Sequence, residues 1–201
     1  MVPSFACATA IGVVVAGTAL KVGGRGAPVF VAGDANGLHP ILHEAADDGR
    51  VAGHNAARHP VVHAPRRSVG LVIVFTDPQI AVVGGGHAAL APCDAVAGEV
   101  PFDDQGRARV LGQNRGMARL YAERRSGRLL GGEIVGPRAE HLGHLLAWAV
   151  EAGLTAERAL EMPFYHPVVE EGLRTALRGL QVALRRGEPI KCRVDELGVG
   201  S

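Results

Sequence analysis

The chain has 201 residues, 47% of them hydrophobic and 20% charged, with a formal net charge of +1; this length holds one large domain, or one domain and a piece of another. So even a charge balance offers no basic field to recruit nucleic acid or an anionic membrane, and 4% aromatic residues leave few platforms for stacking bases. Cys7, Cys93 and Cys192 are odd in number and far apart, which excludes a disulfide framework or a metal knuckle and points to a reducing, cytoplasmic compartment.

The opening run FACATAIGVVVAGTAL, residues 5–20, is too short for a spanning helix and has no basic start for a signal peptide. Its glycines and the triplet Val13-Val14-Val15 suit a buried strand. VGGRGAP, residues 22–28, is glycine-rich but leads into a strand rather than a helix, a poor phosphate cradle. PVFVA, residues 28–32, is a short strand that ends at Gly33-Asp34. Residues 39–58 then carry Ile41, Leu42, Ala45, Ala46, Val51 and Ala52 at helical spacing. HPVVHAPRRSVG, residues 59–70, reads as a surface linker.

A second unit starts at Leu71. LVIVF (71–75) and QIAVVG (79–84) are strands, two shorter strands are expected at 98–102 and 106–111, and MARLYAER (117–124) turns at Ser126-Gly127 into RLLGGEIVG (128–136). This is a meander, hence antiparallel. Residues 139–152 then place Leu142, Leu145, Leu146, Ala149 and Val150 on one helix face, and Gly153 ends the helix. Thr155 caps a short helix reaching about Met162, and Pro167 suits the first position of a last helix with Val169, Leu173, Ala176, Leu177, Leu180 and Leu184 inward. The expected fold is α+β, an antiparallel sheet packed with helices. Residues 189–201 read as a flexible tail.

There is no P-loop, no G-x-S-x-G elbow and no H-E-x-x-H. His141 and His144 have metal spacing but no third ligand in view, so no metal site is assigned. The stretch MPFYHPVVEEGLRTAL, residues 162–177, sets a histidine four and five residues ahead of two carboxylates. Within a helix Glu170 would face His166; with His166 ahead of the helix, Glu171 can reach it. On the residues alone, a polar helix start with two solvated glutamates is the better description.

VFVAGDANGLHPILHEAADDGRVAGHNAA, VFTDPQIAVVG, RLLGGEIVGPRAEHLGHLLAWAVEAGLT and HPVVEEGLRTAL, in that order, resemble the C-terminal part of the pyridine nucleotide-disulfide oxidoreductases, in particular dihydrolipoyl dehydrogenase-like enzymes. The resemblance runs from about Gly26 to about Leu184. It implies a closing segment of an FAD-binding domain at 23–58, a linker at 59–70 and an interface (dimerisation) domain at 71–188, with residues 1–22 unassigned. It implies that Gly33 and Asp34 meet the flavin's ribityl chain, and that Leu42 and His43 mark a helix start aimed at the flavin's pyrimidine end. It also implies that His166 serves as acid/base for a dithiol across a homodimer, held by Glu171, with NAD(P) as the other redox partner. The sequence has neither the C-x-x-x-x-C pair nor the G-x-G-x-x-G loop that such catalysis requires, so the chain alone is expected to be inactive. A non-catalytic homodimerisation module is the competing reading, and an unrelated α+β binding domain a third.

Overall fold

The computed structural model describes residues 11–12, 19–22, 28–38, 40–84, 86–87 and 94–187. All three cysteines, most of the apolar opening run, the core of the glycine-rich stretch and the 189–201 tail lie outside these residues. The chain divides into two units, Met1–Arg67 and Ser68–Ser201.

In the first unit, strands β1 (Ile11–Gly12), β2 (Ala19–Val22) and β3 (Pro28–Phe30) pair antiparallel in that order. A single 3-10 turn, Gly33–Asn36, follows β3 and leads to helix α1 (Leu42–Arg58). Gly33 is required at this turn. Its φ is +69°, and a Cβ there would sit 3.0 Å from the Cβ of Ala45 on α1. Without that side chain the turn closes directly onto the helix.

In the second unit, β4 (Leu71–Val74), β5 (Gln79–Val83), β6 (Ala95–Pro101), β7 (Met117–Glu123) and β8 (Leu129–Gly136) form one antiparallel sheet of order β4-β5-β8-β7-β6. The antiparallel expectation holds, but the sheet is no simple meander: β5 pairs with β8, and β6 lies at the far edge. Alternation explains the faces. Ala118, Leu120 and Ala122 of β7 point into the core, while Arg119 lies between Glu99 of β6 and Glu133 of β8 on the opposite face. There the Arg119 Nε lies 2.7 Å from Glu99 Oε1, and the buried Tyr121 hydroxyl donates to Glu133 Oε2 at 2.8 Å. Burial, and after it the hydrogen bond to Glu133, pushes the Tyr121 phenol well above its ordinary range.

Residues 106–111 are not a strand. Gly106–Val110 is a short helix, α2, because the Gln105 side chain caps it by accepting from the Ala108 N–H at 2.7 Å. The alternation Arg107-Ala108-Arg109-Val110 imitates a strand, but Ala108 is the one residue of the helix that is buried. Helices α3 (Ala139–Glu151) and α5 (Glu171–Arg186) cover one sheet face, with the short α4 (Ala156–Leu160) against α5. Thr155 caps α4 as expected, its hydroxyl accepting from the Arg158 N–H. Leu173, Ala176, Leu177 and Leu180 of α5 enter the core, each leucine contributing about 1.5–3 kcal/mol relative to exposure. Pro167 does not open α5. The helix starts at Glu171, four residues later, and residues 166–170 form turns instead. Leu145 of α3, expected on the inward face, is 44% exposed.

Candidate functional site

The loop between α4 and α5 carries His166, whose peptide bond to Pro167 is cis. Because α5 begins beyond this loop, the helical i, i+4 rule does not choose the partner. Glu171, the first residue of α5, reaches back so that its Oε1 and Oε2 lie 3.0 and 3.1 Å from His166 Nδ1. Glu170 instead lines an apolar cleft beside the loop. The same Glu171 carboxylate accepts from the Val168 N–H at 3.2 Å. One side chain therefore ties together the ring, the loop backbone and the positive end of a long helix.

The imbalance in exposure matters. The His166 side chain is 80% exposed and that of Glu171 27%, so the carboxylate is the fixed member and the ring the presented one. The His166 hydrogen bond, partly opposed by burial and aided by the Val168 N–H and the charges of His166 and Arg174, holds the Glu171 carboxyl below its ordinary value of 4.5. A carboxylate on Nδ1 sets the neutral ring as the Nδ1–H tautomer, which turns the Nε2 lone pair outward. The arrangement can take a proton at Nε2 from an incoming group and return it. Beside it, the Arg174 guanidinium stacks 5.6 Å over the Phe164 ring and braces the preceding loop.

The adjoining cleft has a volume of about 510 Å³ and is walled by α3, α4 and the 162–168 loop. Trp148 and Tyr165 on its rim are 69% and 79% exposed, and Leu145 and Met162 are also open to solvent. Apolar surface of this kind marks a contact site.

The first unit holds the other sequence-predicted residues. Gly33 is buried and Asp34 exposed in the 3-10 turn, and the Asp34 backbone carbonyl accepts from Gly37 N at 3.1 Å. Leu42 and His43 open α1 and are exposed. Ile41, the residue before the helix, provides no side-chain cap, so the first-turn N–H groups have no side-chain acceptor there. An exposed carboxylate on a tight turn and an uncapped helix start suit a polyol and the polar end of an aromatic ring system respectively.

Sequence reasoning missed the polar cluster behind this turn. Asp48, only 6% exposed, accepts from Arg67 Nη2 at 2.6 Å, from Gly33 N at 3.4 Å and from Asn36 Nδ2. Arg67 Nη1 binds Glu44 at 2.6 Å. The signal was the i, i+4 pair Glu44/Asp48 with an arginine in the linker, which reads equally well as a solvated face. Among the described residues no three His, Cys, Asp or Glu side chains gather as a metal would need, and no helix is long and apolar enough to cross a membrane.

Residues 72–177 match the family model for the pyridine nucleotide-disulphide oxidoreductase dimerisation domain. The dihydrolipoyl dehydrogenase of Halobacterium salinarum is 36% identical over 150 residues, covering 74% of this chain and 31% of that protein. The mycothione reductase of Mycobacterium tuberculosis is 34% identical over 161 residues, covering 76% of this chain and 35% of that protein. LpdA from Mycobacterium tuberculosis superposes with a TM-score of 0.64 at 28% identity, over 73% of this chain and 32% of LpdA. The chain thus spans about a third of the length of these relatives. With its five-stranded antiparallel sheet and covering helices, the chain belongs to the pyridine nucleotide-disulphide oxidoreductase family, whose dimerisation domain it carries.

Proposed function

We propose that this chain supplies the acid/base half of a dithiol/disulfide active site in an FAD-dependent oxidoreductase resembling dihydrolipoyl dehydrogenase, completed across a homodimer. The observation that carries the reading is the His166–Glu171 contact, which leaves Nε2 presented to solvent. His166 Nε2 takes the proton of a substrate thiol, and the thiolate so formed is the nucleophile that attacks a disulfide. Glu171 keeps the ring oriented and stabilises the imidazolium while the proton is held, and the proton returns to the leaving thiolate.

Gly33, Asp34 and the α1 start at Leu42 and His43 fit a flavin, for the reasons of turn and helix geometry given above. When bound, FAD would pass electrons between the dithiol and NAD(P). Residues 23–58 are then the closing segment of the flavin domain and 71–188 the dimerisation domain. The exposed rim of Trp148 and Tyr165 supports the homodimer, and the scattered cysteines support a reducing, cytoplasmic setting. The chain has no redox cysteine pair, so alone it should not turn over. The same exposed rim would equally serve a non-catalytic dimerisation module.

The two readings separate in a chimera in which residues 71–187 replace the matching segment of the Geobacillus stearothermophilus dihydrolipoyl dehydrogenase, a relative 33% identical to this chain. His166→Gln should lower dithiol oxidation by about 10²–10⁴-fold. A change below about twofold would leave only the dimerisation module. For the chain itself, light scattering should give a dimer, and a monodisperse monomer would overturn that part; measurable lipoamide-dependent NADH oxidation would overturn the expected inactivity.

A further inference from the structure

We propose that Gln105 is a positioning residue for the His166–Glu171 pair, a strap from a distant part of the chain that fixes the loop presenting the histidine. The proposal rests on the acid/base reading above. An exposed ring cannot be held by packing, so its position depends on its backbone and its hydrogen-bond partner. The peptide groups around Val168 are gripped from both sides. The Val168 N–H donates to Glu171 Oε2, and the Val168 carbonyl accepts from Gln105 Nε2 at 2.8 Å, across 63 residues of sequence. Gln105 is itself fixed, because its Oε1 accepts from Ala108 N at 2.7 Å and caps α2. Both ends of one amide are thus in use, one holding a helix and the other the histidine loop.

The strap has a rigid base. Gln105 N donates to the Phe102 carbonyl, and Asn114 Nδ2 ties the Asp103 carbonyl at 2.8 Å. The Phe102 ring is fully buried against Gly172, where a Cβ would come within 2.8 Å of it. Gly172 follows Glu171 directly. Segment 102–105 therefore meets the helix one residue past the carboxylate and the loop two residues past the ring. An alanine-sized change at either contact reaches the pair without touching it.

The test is NMR of the labelled chain, following the ¹⁵N signature of the His166 ring and the ¹³C titration of the Glu171 carboxyl. Serine at position 105 keeps a good cap for α2 but is too short to reach Val168. In the wild type, His166 should show the Nδ1–H tautomer and Glu171 should titrate below the ordinary glutamate range. In Gln105→Ser the Nδ1–H signature should give way to the Nε2–H form of a free imidazole, and the Glu171 midpoint should rise toward the ordinary range. Gln105→Glu keeps both cap and length but exchanges the amide donor for a charge. Its added charge would itself raise Glu171, so it is read by tautomer alone, with the same change expected; it decides the matter if the serine variant unfolds. A wild-type tautomer in the folded position-105 variants, with the signature lost in Glu171→Ala, would overturn the role of Gln105 and leave the pair standing. A tautomer unmoved even by Glu171→Ala would overturn the acid/base reading itself.

Discussion

Two carboxylates on two helices have opposite fates in this chain. Asp48 of α1 is almost fully buried and takes hydrogen bonds from Arg67, Asn36 and the Gly33 amide. Glu171 of α5 sits at the helix start and spends its oxygens on an exposed imidazole and one loop amide. In the first unit the partners are fixed, so the carboxylate is structural: it pins the turn that displays Asp34. In the second the partner is open to solvent, as the proposed acid/base role requires. Exposure of the partner, 27% for Arg67 against 80% for His166, is what separates a brace from the group proposed to work.

That contrast can be broken in order of effect. Asp48→Ala leaves Arg67 to Glu44 alone and takes the acceptor from the Gly33 amide and Asn36, and should destabilise the first unit by about 2–3 kcal/mol. Denaturant unfolding measures it, and a loss under about 1 kcal/mol would mean that the cluster is solvated rather than buried. Gly172→Ala drives a methyl into the Phe102 ring and should cost the second unit about 1–3 kcal/mol. A neutral result there would show that the ring can retreat and that the base of the Gln105 strap is soft.

A smaller effect depends on pH. The folded Glu171 pKa is depressed, so its stabilisation is fully present above the ordinary value of 4.5 and is lost as pH falls through the lower folded value. Relative to Glu171→Gln, the wild type should be more stable by about 0.5–1 kcal/mol at neutral pH and no more stable in strong acid. A gap that widens in acid would reverse the sign and refute the pairing. The smallest effect is His166→Gln, expected to shift stability by no more than about 0.5 kcal/mol because the ring is largely solvated. A larger loss would make His166 a brace like Asp48.

Several elements could be read from pattern alone. β7 and β8 with the Ser126-Gly127 turn, α3 ending at Gly153, and α4 capped by Thr155 all follow from local rules of alternation and capping. Helix α2 could not be read so, since Arg-Ala-Arg-Val alternates like a strand and its cap is a glutamine that also bonds a loop 63 residues away. The start of α5 was displaced for a similar reason. Pro167 permits a helix to begin, but Glu171 takes the Val168 N–H and bonds the ring ahead of it, holding the segment as turns.

The sequence by itself determined the alternation of β7 and β8, most of the apolar faces of α3 and α5, and that His166 would have a glutamate within reach. All of these depend on side chains within a few residues of one another, where chain geometry leaves few choices. Only the tertiary structure decided that β5 lies beside β8, that Glu171 rather than Glu170 holds the ring, and that Asp48 is buried under Arg67. Those outcomes depend on which distant groups compete for the same hydrogen bonds and the same core, and that competition is settled only when each unit packs as a whole.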